Sequence, residues 1–272
     1  TLLVLQLKNW VDNKKFKKIT EIFSCNNESD ILSEFFFIIA NLYSSQEQYE
    51  NSNLFLNIAN FLNPKFRFNT SLIVENNFGN ENYKKTKILL NRFNKKDEIY
   101  YWYKIKKITQ IISQESNQEE AIKYINSKFS KIENPSTKIL FDMGNIAKGF
   151  KKYQSSINYY DSVISRIEKN SITYADLLYR RGGSYERLGK YEESDKDLLK
   201  SLEINQDDAY VLNYLAYSWL ERDYKIDTAI EMLDKAYEQR SNDPYIIDSV
   251  GWGYYLINDF VNSEKFLKQA LQ

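Results

Sequence analysis

Apolar residues in this chain fall three and four apart in short runs, and each run is followed, across a polar turn, by a second of the same kind. That spacing predicts amphipathic helices joined in pairs. The pattern is clearest from Ala175 to Leu271, where one helical hairpin is written three times. The first copy reads Leu178, Arg181, Gly182 and Tyr185, then Ser194, Leu198 and Ser201. The second reads Leu212, Leu215, Ala216 and Trp219, then Ala229, Leu233 and Ala236. The third reads Ile247, Val250, Gly251 and Tyr254, then Ser263, Leu267 and Ala270. Gly182 precedes Ala216 by 34 residues, and Ala216 precedes Gly251 by 35.

Residue size explains the frame. A small residue midway along each first helix lets the second helix approach, and large residues one turn away fill the flanking grooves. Ser194, Ala229 and Ser263 give the second helix its own small contact point. Tyr185, Trp219 and Tyr254 fall at the offset expected to point into the core. Gly189 and Asn258 stand in the turns, where left-handed backbone is needed. One hairpin cannot bury its apolar face alone, so neighbours must stack.

Carried backward, the frame puts Gly144, Thr109, Val74 and Ala40 at the small position. Gly79-Asn80 and Ser24–Ser33 read as turns, and Ile167–Tyr174 as a longer connection. The first 32 residues read as a worn hairpin carrying Leu3, Leu7, Trp10, Phe16, Ile19 and Phe23. Eight hairpins are expected in a single solenoid, at about 1–32, 33–66, 67–101, 102–136, 137–174, 175–208, 209–243 and 244–272, the first and last incomplete. All three prolines, Pro64, Pro135 and Pro244, fall at these junctions. Proline is tolerated there because no helical N–H is lost.

This period, with small and large residues at constant offsets, resembles the tetratricopeptide repeat. The resemblance implies an all-α, right-handed α-solenoid of stacked antiparallel hairpins, with first helices lining a concave groove that holds an extended peptide or a partner helix. Groove-facing offsets lie three before, one after and four after the small position. They select Phe141, Asn145 and Lys148; Tyr179, Gly183 and Glu186; Asn213, Tyr217 and Leu220; and Asp248, Trp252 and Tyr255. Tyr210 and Tyr245 lie near the starts of their helices. Aromatics with a polar tip suit peptide recognition, and asparagine amides suit an extended backbone. The carboxylate-gripping subclass needs cations where Phe141, Tyr210 and Tyr214 stand, so that pattern is absent. The runs Tyr210–Trp219, Pro244–Trp252 and Arg180–Gly189 are similar to a group of alphaproteobacterial tetratricopeptide proteins, over about residues 175–272. Many of that group are exported, which implies the periplasm or cell envelope and leaves the cytoplasm open.

Composition narrows the chemistry. Hydrophobic residues are 43% and aromatics 15%, which excludes a disordered chain. Lys+Arg and Asp+Glu are 37 each, which argues against a general polyanion binder. The balance is mildly uneven, 21 basic against 16 acidic in residues 1–150 and the reverse bias after. There is no histidine and one cysteine, Cys25, so imidazole-based catalysis, a disulfide and a thiolate metal site are all missing their parts. Arg180-Arg181-Gly182-Gly183 lies within a helix rather than in a phosphate loop. Glu119-Glu120 and Asp207-Asp208 fall at turns or helix starts, where carboxylates favour the dipole. Lys104, Lys106 and Lys107 follow the aromatic run Tyr100–Tyr103, without a repeated base-reading pair that would mark an RNA reader. No apolar run approaches the roughly 18 residues of a membrane span. The chain starts without methionine and stops where a second helix would still be running, so a fragment is expected. These readings predict a non-catalytic scaffold for a protein or peptide partner, with no cofactor, metal, nucleic acid or membrane insertion, and oligomeric state open. Two alternatives are a substrate-recruiting arm of a larger enzyme and a structural spacer in an envelope assembly.

Overall fold

A computed structural model describes residues 2–22, 27–96 and 98–271. Its regular structure, among the described residues, is entirely helical. The chain divides into two compact units, Thr1–Glu133 and Asn134–Gln272. The first contains α1 (Leu2–Asp12), α2 (Phe16–Ile22), α3 (Glu28–Ser45), α4 (Tyr49–Leu62), α5 (Arg67–Gly79), α6 (Tyr83–Leu90), α7 (Glu98–Glu115) and α8 (Gln118–Phe129). The second contains α9 (Thr137–Gly149), α10 (Tyr153–Ile164), α11 (Ile172–Glu186), α12 (Tyr191–Ile204), α13 (Ala209–Leu220), α14 (Ile226–Gln239), α15 (Pro244–Leu256) and α16 (Phe260–Ala270). Odd-numbered helices are the first members of hairpins and even-numbered ones the second. Within each unit the hairpins form an all-α solenoid.

The small positions are where the helices of a pair touch. Ala40, Val74, Thr109, Gly144, Gly182, Ala216 and Gly251 are all buried, and so are Ser52, Thr86, Ala121, Ser156, Ser194, Ala229 and Ser263 on the paired helices. The approach is close enough for a side chain to reach the facing backbone. Ser52 Oγ donates to the Ala40 carbonyl at 2.8 Å, and Ser156 Oγ to the Gly144 carbonyl at 2.9 Å. A Cβ on Gly144, Gly182 or Gly251 would fall 2.5 Å from Tyr160, 3.0 Å from Leu198 or 2.8 Å from Leu267. The next hairpin ties into the same spot. Asn76 Nδ2 in α5 donates to Ser52 Oγ at 2.7 Å, and Ser184 in α11 lies 3.2 Å from Ser156.

The hairpin turns, that of α7–α8 apart, share one geometry. Glu47, Glu81, Lys151, Gly189, Asp223 and Asn258 are left-handed, with φ from 50° to 70°. The N–H after each bonds back to the carbonyl five residues earlier, for example Gln48 to Tyr43 at 2.9 Å and Lys152 to Ala147 at 2.8 Å. That closure caps orphan carbonyls of the first helix in the manner of a Schellman motif. Gly189 and Asn258 were legible as turn residues; the four charged ones were not. Gly79 differs from expectation. It ends α5, and the left-handed residue of that turn is Glu81. The Tyr49 ring lies against Gly79, with the hydroxyl 2.7 Å from where a Cβ would be, so a larger residue there has to displace that side chain.

Other differences have local causes. α3 begins at Glu28 because Asn27 caps it, accepting from the Ser29 N–H at 2.8 Å, so Ser29–Ser33 is helix rather than turn. α7 likewise starts at Glu98, ahead of the boundary expected near 101. Ser171 caps α11 through the Tyr174 N–H at 3.2 Å, which leaves only the first part of Ile167–Tyr174 as connection. Trp219 is core at 2% exposure, but Tyr185 and Tyr254 are half-buried. The Arg181 guanidinium covers the Tyr185 ring, and Tyr254 stacks on Phe266 with its hydroxyl donating to Asp234 at 3.4 Å. In the first hairpin Trp10 is buried and Phe16 exposed; Phe23 and Cys25 lie outside the described residues, as does the Leu3 side chain. Its α1 packs on α7, where Tyr100 Oη donates to Gln6 Oε1 at 3.1 Å. Part of the aromatic and basic run in α7 faces inward: Tyr103 Oη and Lys107 Nζ both bond the Glu75 carboxylate, at 2.6 and 2.7 Å, while Lys104 bonds Asn91 at the surface. Pro64 lies between α4 and α5, Pro135 ahead of α9, and Pro244 opens α15.

Two substitutions test this packing. Gly182→Leu is expected to destabilise the protein by about 1–3 kcal/mol in urea denaturation, because Leu198 and Asp197 already contact the glycine. Lys151→Gly is expected to stabilise it by about 0.5 kcal/mol: relief of the left-handed strain exceeds the extra unfolded-state entropy of glycine.

Candidate partner-binding face

In the second unit the first helices α9, α11, α13 and α15 present one row of side chains, and α11 is its hub. Before it can offer a surface, α11 must be held between α10 and α12. Arg181 does this, forking onto the buried Asp197 of α12 at 2.7 Å through Nε and Nη2, with Nη1 on Asp161 of α10 at 2.5 Å. Burial raises the Asp197 pKa above the ordinary carboxylate value although Arg181 opposes it. The two arginines of Arg180-Arg181-Gly182-Gly183 are thus tied down, Arg180 onto Asp176 at 2.9 Å.

The α9 and α11 residues expected to face a partner are engaged with one another. Arg180 lies over the Phe141 ring at 5.2 Å and reaches Asn145 Oδ1 at 3.4 Å. Asn145 Oδ1 also accepts from Tyr160 Oη at 2.8 Å. Lys148 Nζ donates to the Arg180 carbonyl at 3.4 Å and rests on Gly183, 2.7 Å from where a Cβ would stand. Gly183 is therefore a seat for an ammonium group rather than a groove-facing residue. Tyr179 meets Tyr214 of α13 edge-on at 5.8 Å, and Tyr214 Oη donates to Glu186 at 2.9 Å. Burial, then the positive Arg180 and Arg187, lower the Lys148 pKa to about 8, against the pull of Glu186 and Asp176.

The α13 and α15 residues are more open. Tyr217 is 39% and Tyr255 48% exposed, and Asp248 is exposed. Trp252 is half-buried and stacks on Tyr255 at 5.3 Å. Three buried polar atoms of these two helices lack a hydrogen-bond partner among the described residues: the core indole Trp219 Nε1 and, on the first-helix face, the acceptor Asn213 Oδ1 and the donor Trp252 Nε1. Burial and the nearby carboxylates of Glu221 and Asp248 raise the Tyr217 hydroxyl pKa. Leu220 departs from its expected place: it is 1% exposed and belongs to the core with Trp219 and Leu233. Tyr210 is exposed but lies under the Arg240 guanidinium at 4.7 Å, beside the end of α14. Tyr245 is 81% exposed at the start of α15. The expected residues thus form two groups, one interlocked and one available. Arg180 and Tyr214 belong to the interlocked group, with Asp176 holding Arg180 from one turn earlier in α11; offset counting missed them because Arg180 and Tyr214 reach across to neighbouring helices.

Residues 175–208, the hairpin α11–α12, match the tetratricopeptide repeat family. That hairpin is a tetratricopeptide repeat. Over 127 residues, 47% of this chain, it is 30% identical to a TPR repeat-containing protein of Pseudomonas aeruginosa, and it spans 18% of that protein's length. Among solved structures it is similar to the apo quorum sensor NprR of B. thuringiensis, with TM-score 0.62 and 12% identity over 99% of this chain and 83% of that one. It is similar also to the Cut9–Hcn1 hetero-tetramer of APC/C, with TM-score 0.56 and 14% identity over 88% and 46%. BtubC of P. vanneervenii gives TM-score 0.54 and 16% identity over 69% and 86%. At such identities the likeness is one of fold. No helix among the described residues is long and apolar enough to cross a membrane.

Lys148 is a reporter of the interlocked half, since it sits between α9 and α11. Between about 8 and its unperturbed 10.5, the unfolded chain keeps a proton that the folded chain has released, so stability gains from Lys148 as pH rises. Lys148→Met is expected to lose that gain, seen as a flatter dependence of Tm on pH above 8 than in the parent.

Proposed function

We propose that this segment is a non-catalytic scaffold that holds an extended peptide or a partner helix against the first-helix face of α13 and α15. The general role, protein interaction, is the one a tetratricopeptide-type fold suits. The specific place rests on one observation: a buried acceptor, Asn213 Oδ1, and a buried donor, Trp252 Nε1, stand unpartnered on adjacent first helices beside the exposed rings of Tyr217 and Tyr255. A buried polar atom without a partner costs about 1–3 kcal/mol. A peptide backbone carries both an N–H for the asparagine and a carbonyl for the indole. The aromatic rings add contact area at small entropic cost. The α9–α11 half supplies a rigid border, since Phe141, Asn145, Lys148 and Tyr179 are already held by Arg180 and Tyr214.

Peptides selected from a random display library against the parent protein test this reading. They are expected to bind the double variant Asn213→Ala, Tyr217→Ala about tenfold or more weakly, with Tm unchanged. Equal binding to a folded double variant places the contact elsewhere and overturns the assignment.

A further inference from the structure

The first unit contains a cavity of about 650 Å³ that the peptide-binding reading does not use. It is walled by α1, the turn into α2, the link from α4 to α5 and the start of α7. Lys15, Lys18, Lys65, Arg67 and Lys96 line it, with Glu98 as the one carboxylate among the described lining residues. These cations come from three separate stretches of chain, so their convergence is a product of the fold. Lys15, Lys18, Lys65 and Lys96 make no side-chain hydrogen bond or ion pair among the described residues. Elsewhere in the same unit Lys87 pairs with Glu115 at 2.5 Å and Lys107 with Glu75 at 2.7 Å, whereas Lys84 and Lys85, like the cavity lysines, make no ion pair among the described residues.

Gathering like charges around a recess raises its potential, since low-dielectric walls focus the field. An anion with more than one negative group removes that repulsion and satisfies several ammonium donors together. Lysine suits phosphate as a compact point charge with three donors, whereas a single planar carboxylate is better served by arginine forks. The volume falls within the roughly 300–1,000 Å³ of small-molecule sites. The neutral net charge of the chain hides this feature, because whole-chain totals average over both units.

We propose that this cavity binds a compact anion carrying several phosphate groups. Inorganic tripolyphosphate, titrated calorimetrically into the full chain, is the probe. Saturable one-to-one binding is expected, weakening steeply with added salt. Lys65→Gln with Lys96→Gln is expected to weaken it about tenfold or more. Lys84→Gln with Lys85→Gln changes net charge equally at exposed residues outside the cavity and is expected to leave affinity unchanged. Absence of saturable binding, or the same loss in both double variants, overturns the site. Tighter binding of a ten-residue polyglutamate peptide than of tripolyphosphate also overturns it, and assigns the cavity to an acidic protein segment.

Discussion

The close approach of two helices at a small residue is the constraint on which the rest of this structure depends. Where Gly144, Gly182 or Gly251 faces its partner helix there is no room for a methyl group. That proximity lets Ser52 and Ser156 bond the facing backbone and lets the next hairpin bond the same hydroxyl. It also dictates the turn. Two helices this close, joined by a few residues, take a tight left-handed reversal in every second-unit hairpin and in most of the first unit, even where the residue is Glu47, Glu81, Lys151 or Asp223. The strain of a side chain in that conformation, about 1–2 kcal/mol, is outweighed by the packing that the reversal permits.

Electrostatics then sets which parts of the first-helix row are rigid. Arg181 bridges Asp161 and the buried Asp197, so α11 is bound to a helix on either side. Burial raises the Asp197 pKa against the opposing pull of Arg181. Such a bridge contributes little net stability, but losing either partner leaves a buried charge, and so it holds geometry. From that anchored helix Arg180 reaches back to α9, and Glu186 forward to Tyr214 of α13. Lys148 is confined over Gly183 among these charges. Beyond Tyr214 the network stops, and α13 and α15 carry exposed rings and unpartnered buried atoms instead.

Much of the architecture was legible from residue order, because its causes are local or steric. Small residues near a 35-residue period, prolines between helices and apolar residues at helical spacing each reflect a rule that acts within one turn or one hairpin. Legibility failed where the cause was distant or where strain was tolerated. Charged residues in left-handed turns carry no compositional signal. Tyr185 and Tyr254 share an offset with Trp219, yet a longer reach to water and charged neighbours leaves them half-buried. Offset counting placed Leu220 with Tyr217 and Asn213, whereas one helical turn rotates it into the core beside Leu233.

The chain's own order thus determined the hairpins, their pairing and the residues at which helices touch, since these follow from side-chain size and period. Tertiary structure alone decided which of the partner-facing residues are free. Asn145 and Asn213 look equivalent as polar fixtures, but Arg180 and Tyr160 fall beside the first, while the second has a buried oxygen without a partner. Tertiary structure also drew Lys15, Lys18, Lys65 and Lys96 around one cavity from three separate stretches. Both outcomes turn on contacts between residues on different helices, 15 or more apart, and side-chain reach across that separation is a property of packing, which no local pattern encodes.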